Sequence, residues 1–187
     1  MQIRNTELRY GAIAQLLHWI IVALIITQLV LAFQASGLPA GPAKIAVLAR
    51  HKSFGMTIFG LAVLRLTWRL FNPVPPMPLT TPRWQRIAAH VSHGALYALI
   101  MITPLFGWMM SSARNFPVSW FGLFTFPDLV QPDKSRYEFF HTVHESLAFT
   151  LAGIALLHAA AALKHHFIDH DDVLRRMLPA RLKSPPR

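Results

Sequence analysis

Ten histidines in a chain of 187 residues are the feature of this sequence most able to do chemistry. Imidazole binds transition metals and exchanges protons near neutral pH. His144 and His158 lie 14 residues apart in one apolar run, and a helix of about 100° per residue brings them to within roughly 40° of one another. They are then about 21 Å apart along the axis, too far to share one ion. The spacing predicts two stacked metal centres, each completed by a ligand from a second helix.

The elements that carry these histidines are apolar segments, each long enough to cross the roughly 30 Å hydrocarbon core of a bilayer. The chain is 53% hydrophobic and only 14% charged, whereas a soluble domain has about 25% charged residues. The sequence therefore predicts one domain, an all-α membrane protein built as a four-transmembrane-helix bundle in lipid. The predicted spans are residues 12–33, 53–71, 87–110 and 139–163.

The connections between the spans differ in character. Residues 34–50 are expected to form a Gly/Pro loop that finishes as a short surface helix. Residues 72–86 hold five prolines, and proline cannot continue a helix. Residues 111–138 form the longest predicted loop, with an aromatic stretch, VSWFGLFTFP, expected at the membrane interface. Residues 164–187 are expected to form a basic tail.

Charge and cysteine content narrow the function classes. The net charge of +10 is explained by an association with the membrane and not by binding to nucleic acid. Twelve Lys and Arg lie near the two termini and around the linker between the second and third spans, and six lie on the other side. The positive-inside rule then predicts that both termini are cytoplasmic. The chain has no cysteine, which excludes disulfides, iron–sulfur clusters and covalently attached c-type haem.

Depth within the membrane supplies the second ligands. The first and fourth segments run in opposite directions, so His18 and His158 lie level near the inner surface, and His51 and His144 lie level near the outer surface. Two noncovalent haems with bis-imidazole ligation require two such cross-helix pairs, because a haem iron takes one axial ligand on each face. His93 shares the depth of His18, and geometry alone leaves it as an alternative inner ligand.

Three stretches of the sequence, LLHW, RHKSFG and VHESLAFTLAGIALLHAAAALKHH, resemble the bacterial cytochrome b561 family of small dihaem inner-membrane proteins. The likeness extends from residue 10 to about residue 179. It implies that the axial ligands are the same four residues, His18, His51, His144 and His158.

The resemblance implies a role in electron transfer. Two noncovalent haem b groups would carry electrons across the inner membrane between the quinone pool (ubiquinone or menaquinone) and a periplasmic donor or acceptor. Superoxide is one candidate donor, because positive charge attracts small anions. The alternative is a cytochrome b subunit of a larger dehydrogenase or hydrogenase complex. No residue is assigned as catalytic; an enzyme of this kind would be an oxidoreductase acting with quinone.

Several residues near the predicted ligands are candidate haem contacts. Gly55 would let a porphyrin lie close to the second helix, or would serve helix packing alone. Glu145, the one acid inside a span, would bridge to His51 or His141 or be solvated. Candidate propionate contacts, equally well explained as headgroup anchors, are Arg50, Lys52 and Arg136 outside and Arg69 and Arg86 inside. Candidate quinone or propionate contacts are His90, His93 and His141.

Two places suit a quinone. The outer one, which we favour, has His141, Lys52 and Arg136 beneath the aromatic stretch, and the inner one has Lys164, His165, His166 and His90. A rival hypothesis, a nonhaem di-iron oxygenase or desaturase, draws on the run His165, His166 and His170. Such a site needs about eight converging ligands on one side of the membrane, whereas the histidines of this chain as a whole divide between the two leaflets.

Overall fold

A computed structural model describes residues 2–78 and 81–178, and this part of the chain is almost entirely helical. The four long helices are α1 (Ala12–Gly37), α2 (Pro42–Leu70), α3 (Arg83–Ala113) and α4 (Lys134–Phe167). A short antiparallel hairpin of β1 (Ser119–Trp120) and β2 (Phe124–Thr125) lies between α3 and α4. A 3-10 turn, Arg175–Met177, follows α4.

Three of the four helices fit membrane spans. α1, α3 and α4 have 26, 31 and 34 residues, with peak mean hydropathies of 2.4, 1.5 and 1.9. α2 has 29 residues and is long enough, but five cations interrupt its apolar character: Lys44, Arg50, Lys52, Arg65 and Arg69. The prediction of an all-α membrane protein is therefore confirmed, with α2 as the charged member.

Two helix starts differ from the prediction. The expected Gly/Pro loop is present but short, residues 38–41, and the separate surface helix is wrong, because α2 runs unbroken from Pro42. Proline is suited to the first helical position, and no further helix-breaking residue precedes Gly55. α4 begins at Lys134 instead of near residue 139, because the Asp133 carboxylate accepts the Arg136 N–H at 2.7 Å and caps the helix.

The helices pack in sequence order. α2 contacts both α1 and α3, and α3 contacts α4. A cluster of Leu31, Ala35 and Val47 fills the turn between α1 and α2. Between α1 and α4, the rings of His18 and His158 approach one another.

Both ends of the described chain meet at one end of the bundle. The Asn5 side chain donates to the Pro73 carbonyl at 2.9 Å. The Gln15 amide donates to the Arg176 carbonyl at 3.1 Å, and the Trp19 indole donates to the Met177 carbonyl at 2.8 Å. The N-terminal segment, the α2–α3 linker and the segment after α4 therefore lie together.

The aromatic stretch after α3 is an ordered hairpin fastened to α2. The Trp120 indole donates to the Thr57 hydroxyl at 3.0 Å, and the Phe121 N–H donates to the Ser53 hydroxyl at 3.0 Å. Phe121 has φ 50° and Gly122 has φ 76°; glycine adopts this left-handed region without steric penalty. The hairpin therefore packs against the middle of α2, at Ser53 and Thr57, within one to two turns of His51.

Candidate functional site

One histidine pair lies at the end of the bundle where the termini meet. The rings of His18 on α1 and His158 on α4 have centroids 6.4 Å apart and planes at 77°. His93 on α3 also contacts this pair, with its ring centroid 5.2 Å from that of His158. All three side chains are half-buried. The structure therefore brings three of the predicted histidines together here.

The second pair lies at the opposite end. The rings of His51 on α2 and His144 on α4 have centroids 6.2 Å apart and planes at 77°. Nδ1 of His144 lies 2.9 Å from the Thr103 carbonyl oxygen, so it carries the proton and leaves Nε2 as the free lone pair. Among the described residues, Nδ1 of His51 is buried without a hydrogen-bond partner.

The separations within the pairs fit two imidazoles on opposite faces of one metal. A metal–imidazole bond of about 2.0–2.1 Å, extended by about 1.1 Å to the ring centre, gives about 6.2–6.4 Å between centroids. Both cross-helix pairs have this separation. His93 and His158, at 5.2 Å, are too close for the same arrangement. A bis-imidazole haem therefore fits His18 with His158, and His51 with His144.

A glycine that the sequence analysis missed makes room for the outer pair. A Cβ atom at Gly107 would lie 2.9 Å from Cε1 and 3.0 Å from Nδ1 of His144, so only glycine lets the ring lie against α3. This contact brings Nδ1 to the Thr103 carbonyl one turn earlier. The run from Pro104 to Gly107 inside an apolar span was the available signal, since both residues are unfavourable in a helix interior.

The candidate glycine on α2 has a different neighbour from the one expected. A Cβ at Gly55 would lie 2.9 Å from Nε2 of Gln28 on α1. The Gln28 amide donates to the His51 carbonyl at 2.9 Å, while its own oxygen is buried without a partner in the described residues. Gly55 thus admits an amide that braces the His51 turn, and its haem contact stays a prediction.

Lys52 fastens the loop between α3 and α4, and its proposed propionate contact stays a prediction. Its ammonium donates to the Ser111 hydroxyl and to the carbonyls of Phe116 and Pro117, at 3.2, 3.1 and 2.7 Å. It also lies 3.4 Å from the centre of the Phe116 ring. These three acceptors use all three N–H donors of a lysine.

The other cations divide by exposure. Arg50, Arg86 and Arg136 are exposed, and Arg50 donates to the Ala46 carbonyl of its own helix at 3.3 Å. Arg69 is half-buried, with its guanidinium 5.9 Å from the centre of the Tyr97 ring. Arg69 is also close enough to act electrostatically on His93.

The remaining candidate contacts lie on the surface. His90 is exposed, and its Nδ1 lies 2.7 Å from the Arg86 carbonyl of its own helix. His141 is exposed, with its ring 5.8 Å from that of Tyr137. Glu145 is exposed and makes no hydrogen bond to His51 or His141 within residues 2–78 and 81–178. The bridging role predicted for this glutamate is therefore wrong.

A histidine–carboxylate group follows α4. His165 is only 8% exposed, and its Nδ1 lies 2.6 Å from Asp171 and 3.3 Å from Asp169. The Lys164 ammonium hydrogen-bonds Asp169 and holds the pKa of that carboxyl below its ordinary value. In the described part of the chain, one group of at least three metal-ligating side chains converges, and it consists of His165, Asp169 and Asp171. Three ligands fall well short of the about eight that the di-iron hypothesis requires.

Helices long and apolar enough to cross a membrane carry two pairs of imidazoles from different helices. This combination is that of a membrane cytochrome of the b type. The chain belongs to the prokaryotic cytochrome b561 family, whose model, described as "Prokaryotic cytochrome b561", matches residues 9–180. This confirms the family resemblance of the sequence. Membership implies b-type haem, transmembrane electron transfer linked to quinone, and a bacterial membrane location.

Three curated relatives align along nearly their whole length. "Cytochrome b561 homolog 2" of Escherichia coli (strain K12) is 33% identical over 186 residues, covering 95% of each chain. "Cytochrome b561 homolog 1" of the same organism is 27% identical over 88% of this chain and 94% of the relative. "Probable superoxide oxidase CybB" of Yersinia pestis is 28% identical over 92% and 97% of the two chains.

Proposed function

We propose that this protein holds two haem b groups, one between His18 and His158 and one between His51 and His144, and passes single electrons between them across the membrane. The observation that carries the proposal is the centroid separation in both pairs, 6.4 and 6.2 Å. α4 supplies one ligand to each pair, about 21 Å apart along its axis. This offset gives one centre to each leaflet.

The haem, when bound, supplies one-electron oxidation and reduction of its iron, and the protein supplies ligands, burial and spacing. The Thr103 carbonyl holds the proton of His144 on Nδ1, so Nε2 is the atom presented to the metal. Gln28 fixes the turn of α2 that carries His51. The ligand rings are therefore oriented before the metal binds, which lowers the cost of binding it.

We propose that α2 completes a four-helix transmembrane bundle with both termini in the cytoplasm of a bacterial inner membrane. The contacts of Asn5 with Pro73 and of Gln15 with Arg176 support a common side for the termini and the linker. This is the side that holds most of the Lys and Arg. The cations of α2 lie near its two ends, where long side chains reach the interface.

We propose that quinone exchanges protons at the inner end, through His165. This histidine lies seven residues after His158, so it is on nearly the same face of α4, about 10 Å further in. Its bond to Asp171 gives it a partner through which a proton can leave toward the cytoplasm. The outer candidate His141 is exposed, and its ring stacks near that of Tyr137 without a hydrogen bond from any described residue. His165 is therefore the better proton exchanger, and the inner end is favoured over the outer one.

We propose that the redox partner at the outer end is a small periplasmic molecule. The outer surface carries Arg50, Arg114, Lys134 and Arg136, all exposed, and this charge would attract an anion. Superoxide is the specific candidate, since the Yersinia pestis relative is named a probable superoxide oxidase.

The test of the dihaem proposal is a reduced-minus-oxidised spectrum with a haem count in purified protein. We expect two low-spin b haems per chain in the wild type and one each in His158→Ala and His51→Ala, with different haems lost. His170→Ala, at an exposed position after α4, is the matched control and should keep both. A wild-type protein without haem would refute the proposal.

The quinone site is tested by single-turnover haem reduction with a quinol in detergent. At equal haem content, His165→Ala should slow reduction, and His141→Ala should not. The reverse order would move the site to the outer end. Wild-type rates in both variants would leave each histidine without a role in quinone chemistry.

A further inference from the structure

Arg65, a residue of α2 absent from the candidates drawn from the sequence, points into the inner histidine site. Its side chain is half-buried, and its Nη1 donates to the Ala14 carbonyl of α1 at 2.7 Å. Ala14 lies one turn before His18. The guanidinium is close enough to act electrostatically on His18, His93 and His158. Among the described residues, it is the one side chain of fixed charge that acts on all three imidazoles.

The position of Arg65 repeats the spacing of the α4 ligands. It lies 14 residues after His51, which places it within roughly 40° of the same helix face and about 21 Å further along. His144 and His158 are related in the same way on α4. α2 therefore presents an imidazole at the outer level and a guanidinium at the inner level, while α1 supplies the inner ligand.

The charge of Arg65 has no counter-charge in the described part of the chain. Its side chain makes one hydrogen bond, to a backbone carbonyl, and none of the five salt bridges among the described residues includes it. Arginine remains protonated and has five N–H donors. A cation in this position within a membrane protein is expected to have an anionic partner.

We propose that Arg65 binds a carboxylate of the haem held by His18 and His158 and keeps the reduction potential of that haem high. The inference rests on the proposed function. A haem has two carboxylates, and the forked guanidinium matches a carboxylate with two parallel hydrogen bonds. A fixed positive charge beside the haem stabilises the reduced state, which has one more electron.

The experiment is a redox titration of the purified holoprotein, followed by absorbance at both haems. Arg65→Gln should lower the equilibrium constant for reduction of the inner haem about tenfold, which is about 59 mV for a one-electron couple. The outer haem should not shift. Arg65→Lys keeps the charge and should restore most of the potential. Arg83→Gln, at an exposed arginine that begins α3, is the matched control.

The outcomes separate this proposal from the proposed function. A wild type without two haems would refute the function itself. Two haems with an unshifted inner potential in Arg65→Gln would overturn only the role of Arg65 and leave it a brace between α1 and α2. Loss of the inner haem alone, restored in Arg65→Lys, would support the carboxylate contact.

If Arg65→Gln lost both haems, the contact would be tested by changing the haem carboxylates instead of the arginine. Wild-type apoprotein is then reconstituted with haem or with haem dimethyl ester, whose carboxylates are neutral. The ester should leave the inner site for apomyoglobin about tenfold faster than haem does. Equal rates at the inner site would overturn the proposal.

Discussion

Replacing Gly107 by alanine tests how α3 shapes the outer pair. The new methyl group would lie 2.9–3.0 Å from two ring atoms of His144, whereas ordinary contact begins near 3.4 Å. These atoms belong to a ring held by the Thr103 carbonyl, so either the ring or the α3 backbone must move by about half an ångström. Such a movement stretches the hydrogen bond and turns Nε2 away from His51.

The size of the effect follows from these contacts. Overpacking of this kind costs about 1–3 kcal/mol, and a weakened hydrogen bond about 1 kcal/mol. Together these costs are about 2–4 kcal/mol, and since about 1.4 kcal/mol is tenfold in affinity, the outer haem should be held about 30- to 700-fold less tightly. The inner haem, whose proposed ligands are His18 and His158, should keep its affinity and spectrum.

The assay is haem transfer to apomyoglobin in detergent, with the two phases assigned by a His51→Ala variant. Gly153→Ala is the matched control, because nothing lies within 4 Å of a Cβ there and its position is about 180° around α4 from His144. If Gly107→Ala released the outer haem at the wild-type rate, the argument that the His144 ring needs a glycine at position 107 would be refuted. Equal loss of both haems would indicate general misfolding of α3.

Three further predictions concern the loop, the tail and the topology. Lys52→Gln should free the outer loop and speed trypsin cleavage after Arg114 about tenfold, given about 1–3 kcal/mol for the lost bonds; Lys44→Gln, which loses one bond to a carbonyl, should change it little. The depressed pKa of Asp169 means that this carboxylate stabilises the folded state above the ordinary aspartate pKa of about 3.9, and that the contribution is lost as the pH falls from there through the depressed pKa. Asp169→Asn should therefore flatten the loss of thermal stability as the pH falls below about 4. A reporter fused after Arg187 should be active in the cytoplasm; periplasmic activity would reverse the orientation.

The helices were predictable from composition, but their ends were not. The long apolar runs specify α1, α3 and α4, whereas α2 contains Arg50 and Lys52 in a region where hydropathy alone indicates a surface. Helix propensity and Pro42 at the first position continue the helix through that region. The Asp133 cap likewise extends α4 by one turn beyond the apolar run. Local backbone chemistry decided both ends.

The histidine pairs were predictable because rotation and depth are simple functions of sequence position. The residues that orient them were not, because their contacts cross between helices. Gln28 and Gly107 are ordinary in their own segments, and only the packing of α1 on α2 and of α3 on α4 brings them to His51 and His144. Arg65 was visible as a charge in a span, but its exposure to the inner histidines depends on the crossing of α1 and α2.

The placement of two proposed ligands on α4 explains why the second ligand of each pair comes from a different helix. One face of α4 carries His144, Leu151, His158 and His165 at intervals of seven residues, so a ligand recurs after two intervals and an apolar side chain separates the two centres. A second helix with the same register would crowd both pairs. Instead, α2 provides the proposed outer ligand, His51, and α1 provides the proposed inner ligand, His18. α1 and α2 are antiparallel neighbours, so each carries its histidine at a different depth. α3 is then free to supply contacts for the α4 imidazoles: the Thr103 carbonyl for His144 and the His93 ring for His158.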